Sequence, residues 1–202
     1  MHVKISHFYH IYADGQWNEP VSEHLHALIK YGLYENLDNM FIGFVGSNEN
    51  ISNVKDFLSD KIKYSIVDEQ PEGWEQVTME HLRAYIHQNN GYTFYAHTKG
   101  AHDPSKINIE WRKSMTFYNV VNWRLAFAKL KFADTVGCHW CNNAFWGGTF
   151  WWATNEYLRR LPPLKYDNRW RAEEWIGSCE GINICDLNPG WPGFHLFTTE
   201  WQ

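Results

Sequence analysis

The chain has 202 residues, 44% hydrophobic and 20% charged, which suits one well-buried globular domain and excludes wholesale disorder. A net charge of -5 with no Lys/Arg run beyond two residues argues against a dedicated nucleic-acid binder, which carries a basic footprint. No apolar stretch approaches the roughly 18 residues of a membrane span, and the opening MHVKISHFYHIYADG shows no signal-peptide pattern, so a soluble cytoplasmic protein is expected.

In chain order, HVKISHFYHIYA is β-branched and aromatic and predicts a first strand. PVSEHLHALIKYGL has helical apolar spacing with Ser22 as an early cap. NMFIGFVG predicts a buried strand, NISNVKDFLSD a helix and KIKYSIVDE a third strand. TMEHLRAYIHQNNG predicts a helix ended by Asn-Asn-Gly, and GYTFYAHTKG a strand running into a loop. INIEWRKSMTFYNVVNWRLAFAKLKF is a long helical stretch expected to break in two, and DTVGCHW a short strand. GGTFWWATNEYLRRL passes from strand to helix and is stopped by Pro162 and Pro163.

Strand and helix thus alternate four times in the first half, which predicts a parallel sheet with helices on both faces. Such sheets bind ligands at the carboxyl ends of their strands. No repeat or linker interrupts the chain, so one domain, 1–202, is expected.

The four cysteines form a C-x2-C pair, Cys138 and Cys141, and a C-x5-C pair, Cys179 and Cys185. The second spacing is loose for a zinc ribbon, and reduced structural thiols are the favoured reading over zinc or redox chemistry.

Several residues could carry chemistry. The strand FYAHTKGAHD delivers His97, Thr98, Lys99 and Gly100 at its carboxyl end. There an imidazole can move a proton or bind a metal, a lysine can neutralise phosphate, and a glycine lets backbone approach a ligand. Arg112, on a helix start, fits an anion or an ion pair equally well. Glu69 follows a strand, and Glu75, Thr78 and Arg83 lie on or before the next helix; for Glu75 and Glu80 a solvated helix face is the favoured reading. Neither G-x-G-x-x-G nor a P-loop occurs there. In AFWGGTFWWATNEYLRRLPPL, Gly147 and Gly148 suggest a tight turn leading into an aromatic wall. Glu173 and Glu174 stand before Trp175; a carboxylate beside aromatics can have a raised pKa and act as a base, or it can simply stabilise a helix start.

Taken together, YAHTKG, FWGGTFWWATNEYLRRLPPL and RAEEWIG resemble a glycosyltransferase-like family of bacteria and large viruses. Its pattern is a Tyr-x-His-Thr-Lys-Gly strand end, a Gly-x-Phe-Trp-Trp-Ala segment and a Glu-x-Trp-Ile/Leu-Gly helix. The resemblance covers roughly the last two-thirds of the chain. It implies a single-domain α/β, GT-A-like (Rossmann-like) fold with a mostly parallel sheet flanked by helices. Residues 1–100 would be the nucleotide-binding half and 101–202 the acceptor and catalytic half.

The implied activity is transfer of a hexose or pentose from a nucleotide sugar, such as a UDP-sugar, to a hydroxyl of a glycan or other acceptor. The resemblance places the donor near Tyr9, His10, Tyr12, Glu69, Thr78, Arg83, His97, Thr98, Lys99, Gly100 and Arg112. It places the sugar or acceptor against Gly147, Gly148, Trp146, Trp151 and Trp152. Of Glu173 and Glu174, Glu174 is taken as the base that deprotonates the acceptor. The Asp-x-Asp of the GT-A plan is absent. A manganese or magnesium ion would then need His97 with His195, and metal-free stabilisation of the leaving diphosphate by Lys99 is favoured. The rivals are a phage-type DNA-base glycosyltransferase using Lys106, Arg112, Lys113 and Arg124, a non-catalytic glycan-binding module, and an inactive family member.

Overall fold

The computed structural model describes residues 3–141 and 144–189. A seven-stranded sheet organises the domain. Its parallel half is built from β1 (Ile5–Tyr12), β2 (Asn39–Val45), β3 (Ser65–Gln70) and β4 (Tyr92–His97). The helices α1 (Asn18–Lys30), α2 (Asn48–Ser59) and α3 (Gln76–Gln88) connect these strands in turn. The second half adds β5 (Thr135–Gly137), β8 (Trp151–Thr154) and β9 (Ile184–Asp186), with a hairpin of β6 (Trp140–Cys141) and β7 (Phe145–Trp146) beside the sheet. The strand order is β3-β2-β1-β4-β8-β5-β9. β1 pairs in parallel with both β2 and β4, whereas β8 runs antiparallel to β4 and β5. The first four strands are all parallel, as expected, and the sheet as a whole is mostly parallel.

The side chains of β1 up to Ile11 are buried, as a strand covered on both faces requires. Alternation sends Ile5, Tyr9 and Ile11 to one core and Phe8 to the other. The first core receives α1, α2, α4 (Lys106–Thr116) and α5 (Trp123–Lys129); the second receives α3, α6 (Asn155–Leu158) and α7 (Trp170–Trp175). The long helical stretch breaks as expected, at a π-helical turn over Phe117–Val121. Ser22 is not a cap: its hydroxyl donates to Asn18 Oδ1 at 3.1 Å within α1, while Ser47 Oγ caps α2 by accepting from Asn50 N.

Trp151 and Trp152 show the period of two most clearly. Trp152 faces the first core and stacks on Phe94, its cross-strand partner, at 4.8 Å; Trp151 faces the second and stacks on Tyr95 at 5.3 Å. Both are fully buried, as is Trp146, whose indole N–H donates to Thr135 Oγ1. Trp152 donates to the Asn119 carbonyl. The expected aromatic wall is thus sheet core, because neighbouring strand residues point to opposite layers.

Candidate active site

The carboxyl ends of β1, β2 and β4, the loop after β3 and the start of α7 enclose a cleft of about 870 Å3. Its floor comes from β1 and β4. Thr98 extends their pairing, donating its N–H to the His10 carbonyl and accepting from the Tyr12 N–H at its hydroxyl. His10 and Tyr12 therefore reach the cleft beside His97, Thr98, Lys99 and Gly100. His10 Nδ1 meets Thr78 Oγ1 at 2.8 Å, and burial holds its pKa down at about 4, so the ring is neutral at pH 7.

His97 is the best-anchored group. Its Nδ1 lies 2.9 Å from Glu75 Oε1 and its Nε2 lies 2.9 Å from the Gly148 carbonyl oxygen. Both neighbours are oxygens, so the ring is held between the Glu75 carboxylate and the Gly148 carbonyl. Burial acts to raise the Glu75 carboxyl, but His97, His10 and Lys99 outweigh it and hold it below the ordinary value. Its second oxygen, Oε2, is buried with no partner among the described residues. The solvated reading of Glu75 is thus corrected. Gly148 makes the carbonyl available by adopting φ +81°, and a Cβ there would run into the Met115 thioether.

Lys99 places its ammonium 3.8 Å over the Trp111 ring. Burial lowers its pKa, opposed by the charges of Glu173 and Glu75. Arg112 does not enter the cleft. It is buried, donates from Nε to Glu23 Oε2 at 2.7 Å and from Nη2 to Glu19 Oε1 at 3.0 Å, and holds the Lys99 carbonyl through Nη1 at 3.1 Å. The ion-pair alternative therefore describes Arg112, which braces the loop carrying Lys99. A DNA groove built on it loses its central cation.

Glu173, not Glu174, lines the cleft. Burial, then the nearby Glu75 charge, raises the Glu173 carboxyl above its ordinary value, with Lys99, His97 and Arg169 pulling the other way. Glu174 is half exposed and accepts from Arg171 Nη1 at 2.8 Å. The preference for Glu174 is corrected on that ground: one residue of helix rotation turns it from the cleft to solvent.

Other expected donor residues lie elsewhere. Tyr9 is wholly buried in the core, and Thr78 reaches the site only through His10. Glu69 pairs with Lys55, and Arg83 with Glu80. Gly147 packs against Cys141 and Trp111, behind the turn whose Gly148 carbonyl meets His97. Residues not singled out from sequence complete the cleft: Asp14, Trp74, His102, Asp103, Arg169 and Trp170. Trp74 falls inside the Glu69–Thr78 region expected to lie by a nucleotide. Trp170 stands three residues before Glu173, a helical spacing that puts both on one face.

A metal held by His97 does not fit this arrangement, because both ring nitrogens are already engaged. Its suggested partner His195 lies outside the described residues. Among the described residues, no group of three or more His, Cys, Asp or Glu could hold a metal ion. The four cysteines are free thiols, Cys138 buried and the others partly so. No helix among the described residues is long and apolar enough to cross a membrane.

A mostly parallel sheet with its cleft at the strand carboxyl ends defines the class: a single-domain Rossmann-like α/β protein of GT-A-like type. The family model for a domain of unknown function, DUF8361, matches residues 8–169, and the chain belongs to that family. No curated protein matches it. Among solved structures, it is similar to 4-diphosphocytidyl-2C-methyl-D-erythritol synthase from Anaerococcus prevotii DSM 20548, with TM-score 0.52 and 8% identity over 92% of this chain and 90% of that one. A second structure of such a synthase gives 0.47 and 10% identity over 94% and 91% of the chains. Rv0371c from Mycobacterium tuberculosis H37Rv, in complex with manganese, gives 0.44 and 10% over 92% and 88%. The first of these similarities supports the fold.

Proposed function

We propose that this chain is a transferase that passes a sugar from a nucleotide sugar, a UDP-sugar in the first instance, to a hydroxyl acceptor. The observation that carries the reading is the meeting of Lys99, Arg169 and Glu173 in one cleft at the carboxyl ends of parallel strands. No ion pair within 4 Å occupies Lys99, Arg169 or Glu173 among the described residues. Two cations suit a diphosphate, and a carboxylate with a raised pKa suits a general base. The name of the Anaerococcus prevotii neighbour, a synthase of a diphosphocytidyl compound, agrees with a nucleotide-type donor.

In the reaction Glu173 takes the proton of the acceptor hydroxyl as its oxygen attacks the anomeric carbon. The new glycosidic C–O bond forms as the C–O bond to phosphate breaks. The electron pair leaves on the nucleoside diphosphate, where Lys99 and Arg169 face the developing charge. The His97–Glu75 pair keeps the β4 end and the Gly148 turn in place.

A hydrolysis screen over nucleotide sugars, with and without manganese, tests the reading. It expects turnover or binding of at least one donor, weakened at least tenfold in Lys99→Met by loss of a charge-assisted contact of about 1.5–3 kcal/mol. Absence of both turnover and binding for every donor rejects it. Donor cleavage to a nucleoside monophosphate would instead point to nucleotidyl transfer.

A further inference from the structure

We propose that Trp170 and Trp74 form the acceptor subsite of this cleft, and that the subsite takes a pyranose ring. The inference rests on the transferase reading and adds to it the chemical class of the second substrate.

Nearly every tryptophan side chain of the interior has a packing role. Trp74 and Trp170 do not: they stay 48% and 52% exposed while lining the cleft. An indole left half in water at the mouth of a polar cleft costs solvation of an apolar face unless a ligand covers it.

Both rings line the same cleft, and hydrogen bonds link the segments that carry them. Gln76 Nε2 donates to the Asn168 carbonyl at 2.8 Å and to the Lys165 carbonyl at 3.5 Å, which ties the chain next to Trp74 to the segment that leads into Trp170. Asn168 Oδ1 in turn accepts from the Trp170 N–H at 2.9 Å. The Arg169 guanidinium lies 4.2 Å from the Trp170 ring centre, so the indole is supported on one side rather than loose. Such support lowers the ordering cost of binding.

Chemistry selects the occupant. Trp170 and Glu173 sit three residues apart on α7 and therefore share a helix face. A ring stacked on Trp170 would bring its hydroxyls toward the carboxylate that deprotonates them. Glu72 also lines the cleft and can accept hydrogen bonds from hydroxyls, as can Asp103, whose carboxylate already accepts from Ser105 and Asn108. A pyranose offers both needed surfaces, an apolar face of C–H groups for the indoles and a rim of hydroxyls for carboxylates. A nucleobase would leave these acceptor-only groups without donors in number.

The test compares the wild-type chain with Trp170→Ala, Trp74→Ala and the conservative Trp170→Phe. The acceptor probes are methyl glycopyranosides and short oligosaccharides, and donor hydrolysis is measured without them. Both rings are half exposed, so the variants should keep the fold, which thermal melts check. The proposal expects the acceptor KM to rise about tenfold in each alanine variant, by more than the donor KM, with Trp170→Phe restoring most of it. An unchanged acceptor KM overturns it. So does a donor KM raised more than the acceptor KM, which would mean that the rings hold the donor's base. If the wild-type chain hydrolyses no donor, the transferase reading fails by itself. Tryptophan fluorescence then still reads the subsite: quenching by the oligosaccharides that is lost in Trp170→Ala supports it, and no quenching overturns it.

Discussion

The His97 imidazole meets the Glu75 carboxylate across 2.9 Å through Nδ1 and the Gly148 carbonyl across 2.9 Å through Nε2, which joins the start of α3, β4 and the turn at Gly148. Three separate stretches of the chain converge at that ring. Breaking the contact should loosen the cleft floor rather than abolish a chemical step. Glu75→Gln keeps a hydrogen-bonding partner for Nδ1, whereas Glu75→Ala leaves a largely buried ring nitrogen unpaired. The alanine variant should lose about 1–3 kcal/mol of stability, and the glutamine variant less. Urea melts of the two variants check this, and equal stability of wild type and Glu75→Ala would refute the strut.

Arg112 makes a related prediction from the other side of Lys99. Its planar guanidinium reaches Glu19, Glu23 and the Lys99 carbonyl at once, which an ammonium does not reproduce. Arg112→Lys should therefore lower Tm and raise the donor KM through a displaced Lys99. Because Glu19 and Glu23 keep contact with solvent, the stability loss should be about 1–3 kcal/mol, below that of a wholly buried pair. A variant with wild-type Tm and donor KM would show that the brace is dispensable.

Acid should destabilise the fold well before carboxylates titrate. Burial depresses His7, His10 and His139 to about 4 each, and lowers His24 well below its ordinary value, helped by the neighbouring His7. His7 and His24 face each other through Nε2 atoms at 2.9 Å, an arrangement that needs at least one neutral ring. In the unfolded chain these groups bind protons near pH 6.5, so between there and pH 4 the unfolded state binds more protons. Stability is then full above pH 6.5 and falls with pH by up to about 1.4 kcal/mol per unit for each histidine. Glu173, raised by burial, opposes this only near the carboxylate range. Denaturant midpoints measured from pH 7.5 to 5 should drop steeply, and a flat profile would contradict the buried neutral histidines.

The parallel half of the fold was legible because buried strands and amphipathic helices each leave a periodic trace in sequence. The strand end at His97–Gly100 was legible for the same reason: a strand followed by polar residues and glycine marks the ligand edge of such a sheet. The tryptophans misled because residue type does not reveal orientation. Trp151 and Trp152 are adjacent, yet each enters a different core, while Trp74 and Trp170 look ordinary in sequence and stand half exposed in the cleft. Glu173 and Glu174 pose the same problem over one residue. There the resemblance favours Glu174, and adjacency alone does not tell which carboxylate a helix turns toward the cleft. Glu75 was hidden because its partner lies 22 positions away on another strand.

The most direct measurement is transfer by Glu173→Gln beside Glu174→Gln, with the donor found by the hydrolysis screen. The account predicts that Glu173→Gln lowers kcat by about 100- to 10,000-fold with donor affinity largely kept, while Glu174→Gln stays near wild type. Its wild-type acid limb should also lie above the ordinary glutamate range, since the Glu173 carboxyl is raised. Undiminished turnover in Glu173→Gln, or loss confined to Glu174→Gln, would contradict the assignment.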